Sequence, residues 1–118
     1  MRIALDIDGT ITRSPEFFAV LSKALIDAGH TVFVVTHRLD RNDTEDELAE
    51  YGVRYHELVL PDSFDHEIAD WKIEAYQHVE PDIVFEDMLE VVNALPSSVA
   101  SFVPLTPKKG LLAYTSSR

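Results

Sequence analysis

Apolar runs of four to six residues alternate along this chain with stretches whose apolar positions recur at helical spacing, and each early apolar run stops at a polar group. Residues 3–10, Ile-Ala-Leu-Asp-Ile-Asp-Gly-Thr, read as a strand buried on both faces that ends in Asp6 and Asp8, with Gly9 permitting a tight turn after them. The two carboxylates share a side-chain direction only if the strand stays extended, and a bend at Ile7 separates them. Ser14, Pro15 and Glu16 then read as a helix start, with Ser14 as cap. Phe18, Leu21, Leu25 and Ala28 follow at helical spacing and Gly29 is the expected stop.

Residues 31–35 predict a second buried strand that runs out into Thr36, His37 and Arg38. Residues 43–51 predict a short acidic helix, with Thr44 and Glu47 spaced as a capping box and Gly52 as its stop. Residues 55–60 predict a third strand, closed by Pro61, and an acidic loop leads into a helix capped by either Asp65 or Asp70 that carries Lys72. Residues 82–85 predict a fourth strand ending in Glu86 and Asp87, residues 88–95 a short helix, and residues 99–103 a fifth strand. The alternation predicts one α/β domain over residues 1–118, with a mostly parallel sheet and right-handed crossovers. For the tail, residues 104–118, two roles stay open: closing part of a site or making a dimer contact.

Composition narrows the chemistry. With 46% hydrophobic and 26% charged residues the balance is that of a soluble globular protein, and no apolar run approaches the roughly 20 residues of a membrane-spanning helix. The chain opens directly on a strand, so a cytoplasmic location and no membrane partner are expected. There is no cysteine, which leaves oxygen or imidazole to hold any metal. A net charge of -11 argues against nucleic acid as a partner and would repel a phosphorylated molecule unless a cation offsets it. The five histidines show no metal-ligand spacing, and Trp71 reads as a packing residue.

Asp6 with Asp8, Thr36, Lys72, and Glu86 with Asp87, in that order and at those strand and helix ends, resemble the four motifs of the haloacid dehalogenase-like phosphohydrolase superfamily over about residues 2–95. The resemblance implies a Rossmann-like three-layer α/β sandwich whose five-stranded sheet has the order 5-4-1-2-3, with strand 1 at the switch point where a ligand crevice is expected. It further implies a phosphatase that hydrolyses a phosphate monoester with Mg²⁺ as cofactor. Asp6 would be the nucleophile that becomes an aspartyl phosphate, and Asp8 the acid and then the base. Thr36 and Lys72 would bind and stabilise the transferring group; outside the resemblance, Arg38 reads either as a grip for a second anionic group of the substrate or as a solvent-facing loop charge. Mg²⁺ would be held by Asp6, the backbone carbonyl of Asp8 and Asp87, with Glu86 reaching it directly or through water.

Two departures stand out. His37 follows Thr36 where Gly or Asn is common, and Glu86 stands where many members have Asp or Gly. The short spacings from Asp8 to Pro15 and from Thr36 to Lys72 leave no room for a cap domain, which suits a larger phosphorylated substrate or a partner subunit acting as lid, so an oligomer is possible. A signalling receiver domain has similar size and residue types, but it places its phosphorylated Asp on the third strand, and here strand 3 ends Leu58-Val59-Leu60-Pro61. The alternative that stays open is a metal-binding regulatory or partner-dependent subunit with weak catalysis.

Overall fold

The computed structural model describes residues 1–105. Five strands form one sheet: β1 (Arg2–Leu5), β2 (Thr31–Val35), β3 (Glu57–Val59), β4 (Ile83–Phe85) and β5 (Ala100–Phe102). Every pairing is parallel, and the order β3-β2-β1-β4-β5 is the expected order read from the other edge. Four helices connect them: α1 (Pro15–Asp27), α2 (Arg41–Tyr51), α3 (Ile68–Val79) and α4 (Leu89–Asn93).

Strand periodicity divides the core in two. Ile3, Leu5, Val32 and Val34 pack with Phe18 of α1 and Leu48 of α2 on one face. Ala4, Phe33, Val35 and Val84 pack with Ala75, Tyr76 and Val79 of α3 and Val91 of α4 on the other. The three-layer Rossmann-like arrangement follows, and the described residues contain no inserted cap. The centre of the sheet is apolar on both faces, so the polar residues just past the strand ends are the ones free for chemistry.

Several local expectations are corrected. Ser14 makes no side-chain cap bond to α1. The cap of α2 is Asp40, whose carboxylate accepts from the Asp43 N–H at 2.9 Å, and the Thr44 hydroxyl donates back to the Asp40 carbonyl at 2.7 Å, so the Thr44–Glu47 box does not form. α3 starts after Glu67, before Asp70 and after Asp65, and neither of those caps it. Lys72 is therefore the fifth residue of the helix. The proposed roles of the tail lie outside the described residues, apart from Pro104 and Leu105. Among the described residues no helix is long and apolar enough to cross a membrane.

Candidate functional site

Asp6 is the first residue beyond β1, and its N–H still donates to the Phe85 carbonyl at 3.0 Å, so the carboxylate is carried by the central strand of the sheet. The chain then leaves the sheet. The Thr10 and Thr12 N–H groups donate to the Ile7 carbonyl, and the Ile11 N–H donates to that of Asp6. The turn needs Gly9 twice over: its φ is +83°, and a Cβ there would lie 2.1 Å from Asp87 Oδ2. This bend at Ile7 separates the two carboxylates. Asp6 is 1% exposed inside the site, whereas the Asp8 side chain is 65% exposed on the rim.

Lys72 reaches Asp6 from α3 across the end of the sheet. Its ammonium donates to Asp6 Oδ1 at 2.6 Å and to the two oxygens of Glu86 at 2.9 and 3.1 Å. Thr10 donates to the other Asp6 oxygen at 3.0 Å. Glu86, fully buried, also accepts from the Tyr76 hydroxyl at 2.8 Å and from the Met88 N–H at 3.0 Å. A carboxylate offers about four acceptor positions, and here all are engaged. Glu86 is thereby a holder of Lys72; it meets an ion beside Asp6 only through water or by releasing one of these donors.

The electrostatics follow from two buried carboxylates sharing one ammonium. Desolvation, then the Glu86 charge, push the Asp6 carboxyl up to about 8, against the pull of Lys72. Desolvation also raises Glu86, with Lys72 and its hydrogen bonds opposing. Burial pulls Lys72 down, but the Asp6 and Glu86 charges outweigh it and leave the amine above its ordinary value. The site is thus short of positive charge. One oxygen from each of Asp6, Glu86 and Asp87 lies within 4.8 Å of the others. These carboxylates are the kind of donor a small divalent cation takes, Asp6 and Asp87 directly once they draw together and Glu86 through water. The turn's backbone hydrogen bonds run to Asp6 and Ile7, not to the Asp8 carbonyl, the oxygen expected to complete this set.

Thr36 ends β2 beside this cluster, 1% exposed, and its hydroxyl has no hydrogen-bond partner. Buried polar groups are almost always paired, so an unpaired hydroxyl on a residue that lines a charged cleft marks a candidate ligand position. The cleft is open and brings together Asp8, Thr36, His37, Lys72 and Asp87 with Ile68 and Met88. Larger grooves lie elsewhere, between α3 and the end of α4 and beside Phe102, but neither touches the buried carboxylates.

Arg38 lies on the rim and binds both oxygens of Asp8, at 2.7 and 3.2 Å, and both of Glu47, at 2.9 and 3.1 Å. These pairs raise its pKa further, with the Asp8 hydrogen bond leading. The expected acid and the expected anion grip are therefore bonded to each other. Sequence reasoning did not single out Tyr76, Thr10 or Glu47 for the site. Tyr76 lies four residues after Lys72 on the same helix face, and Thr10 four after Asp6; both spacings were visible. Glu47 was marked in the sequence only as a capping-box partner for Thr44, not for the site.

No protein-family model and no curated protein matches this chain. Among solved structures, two chains from structures of the Pnkp1/Rnl/Hen1 RNA repair complex superpose with a TM-score of 0.71 at 21% identity over 87% of this chain. This chain spans 42% and 45% of their lengths, less than half in each case. A universal stress protein in complex with cAMP superposes with a TM-score of 0.54 at 10% identity, covering 87% of this chain and 94% of its own. At these identities the likeness is one of fold.

Proposed function

We propose that the chain is a Mg²⁺-dependent phosphatase that hydrolyses a phosphate monoester through an aspartyl-phosphate intermediate on Asp6, as its resemblance to the haloacid dehalogenase-like phosphohydrolases implies. The observation that carries the reading is the buried Lys72 ammonium shared by Asp6 and Glu86, with Asp87 beside them and Thr36, its hydroxyl unpaired, lining the adjoining cleft. Asp6 and Asp87 would hold the ion with the Asp8 carbonyl, and Glu86 through water. When bound, the ion would supply positive charge that favours ionised Asp6 and offsets the repulsion of a phosphate dianion.

An oxygen of Asp6 attacks phosphorus and forms the P–O bond while the ester P–O bond breaks, and Asp8 gives its proton to the leaving oxygen. In the second step water gives a proton to Asp8 as its oxygen attacks phosphorus, the Asp6–phosphorus bond breaks, and phosphate leaves. Thr36 donates to an equatorial phosphoryl oxygen, where charge accumulates, and Lys72 does so once one of its three donors leaves Glu86 or Asp6. Asp8 works only after Arg38 lets go, and an anionic substrate competing for the guanidinium would free it.

A second reading is favoured by that same Arg38–Asp8 pair and by the open cleft: a metal-binding subunit whose site is completed by a partner. Its support beyond the cleft is that the RNA-repair chains similar in fold come from a multi-protein assembly. The two readings separate on phosphate release from a panel of aryl and metabolite monoesters, with Mg²⁺ or with chelator. Mg²⁺-dependent release supports the phosphatase. No release from any compound, with Mg²⁺ still raising the melting temperature, supports the subunit.

A further inference from the structure

Tyr76 carries a buried hydroxyl that the chemistry above does not use. The residue is 1% exposed and belongs to the apolar cluster of Ala4, Phe33, Val35 and Val84 on the α3 side of the sheet, so close packing of its ring sets where the hydroxyl lies. That hydroxyl donates to Glu86 Oε1 at 2.8 Å, and the Met88 N–H donates to Glu86 Oε2 at 3.0 Å. Each oxygen of Glu86 thus has one donor fixed by the core or the backbone, besides the Lys72 ammonium at 2.9 and 3.1 Å. A carboxylate held at both oxygens cannot turn about its last bond without losing a buried hydrogen bond.

Glu86 nonetheless lies within reach of the cation donors, one of its oxygens being within 4.8 Å of an oxygen of Asp6 and of one of Asp87. The number of carboxylates that reach an ion decides which ion is preferred. Mg²⁺ takes few carboxylates, keeps several waters and demands near-octahedral geometry, whereas Ca²⁺ takes about six to eight oxygens, accepts bidentate carboxylates and tolerates irregular geometry. A third carboxylate free to move onto the ion therefore favours Ca²⁺. We propose, resting on the cation site that both readings above share, that Tyr76 is a positioning residue that keeps Glu86 off the ion and so biases the site towards Mg²⁺ over Ca²⁺.

Lys72 and Tyr76 stand one turn apart on the same face of α3, so one helix presents two of the groups that bind Glu86. They differ in what they can give up. Lys72 has three donors and must turn one to a phosphoryl oxygen, which strips Glu86 of part of its charge compensation. Tyr76 has one donor, and with the Met88 N–H it is what stays on Glu86 when Lys72 turns. Both Tyr76 and Glu86 are buried, so bulk water does not take the place of that hydroxyl if it is removed.

The test titrates Mg²⁺ and Ca²⁺ separately into wild type and Tyr76→Phe by calorimetry. Tyr76→Phe keeps the ring in the core and removes only the donor. The ratio of Ca²⁺ to Mg²⁺ affinity should rise about tenfold, the low end of what losing an outer partner of a ligand set does. A general loosening of the fold weakens both cations together, so an unchanged ratio overturns the inference and leaves the cation site standing. A second readout needs no variant and stands even if Tyr76→Phe fails to fold. In wild type the Tyr76 Cζ carbon signal, which reports the hydrogen bond of its hydroxyl, should stay in place on saturation with Mg²⁺. A signal that moves to the position of an unbonded phenol means that Glu86 leaves Tyr76 when the ion binds, and it overturns the inference. Wild type that takes up neither cation overturns both the inference and the cation site it rests on.

Discussion

Lys72 balances two buried carboxylates with one ammonium, which makes it the residue on which both stability and chemistry turn. Lys72→Met keeps the length of the side chain and removes the charge, leaving Asp6 and Glu86 facing each other. Breaking a buried ion pair in this way should cost roughly 3 kcal/mol in urea unfolding at about pH 9, above the Asp6 value, where the carboxylates are ionised. The loss should shrink in acid, where both carboxylates become neutral, and a cost that does not change with pH would show that the charges are not in contact. Asp6 gives a second test. Its folded value of about 8 lies above the roughly 4 of an unfolded Asp, so its contribution to stability is present below about pH 4 and is lost as pH climbs through 8. An ion takes the ionised form, so the rise in melting temperature on adding Mg²⁺ should be larger at about pH 8.5 than at about pH 6. An equal or larger rise at the lower pH contradicts ligation by Asp6.

At the scale of elements, the ends of strands and helices decide where the chemistry sits. The ends of β1, β2 and β4 bring Asp6, Thr36 and Glu86 with Asp87 to one rim because all three strands are parallel. The strand pattern and the polar stops were legible in the sequence for this reason: a doubly covered parallel strand must be apolar until it ends. Cap positions were less legible. Asp40, Asp43 and Thr44 are all competent cappers within five residues, and local sequence does not say which carboxylate reaches an N–H. The end of α3 was not read at all, and it carries a cost. Glu80 closes the helix at φ 53°, a left-handed conformation that disfavours a side chain, with its N–H bonded to the Tyr76 carbonyl at 2.9 Å. Glu80→Gly should therefore raise stability by about 1 kcal/mol, seen as a higher urea midpoint at unchanged slope. A lower midpoint would mean that Glu80 makes a contact worth more than its strain.

Over the whole molecule, the sheet order and the absence of a cap among the described residues agree with the reading of the sequence, while the pairings inside the site do not follow from it. Asp8 with Arg38, and Glu86 with Tyr76 and Lys72, are contacts between elements 10 to 30 residues apart that no local pattern encodes. They give the site two layers: a buried base around Asp6 that is short of positive charge, and an exposed rim in which Asp8 is held by Arg38. A net charge of -11 surrounds both, so a cation is needed before a phosphate dianion can approach. The central claim is that Asp6 accepts a phosphoryl group with Lys72, Thr36 and an ion around it, and it can be tested without knowing the substrate. Beryllofluoride mimics a phosphoryl group on a carboxylate, and its bound fluorines are resolved by fluorine NMR. Bound signals in wild type that require Mg²⁺ and vanish in Asp6→Asn are the predicted result. No bound signal in wild type, or one that persists in Asp6→Asn, would contradict the assignment of Asp6 as the acceptor.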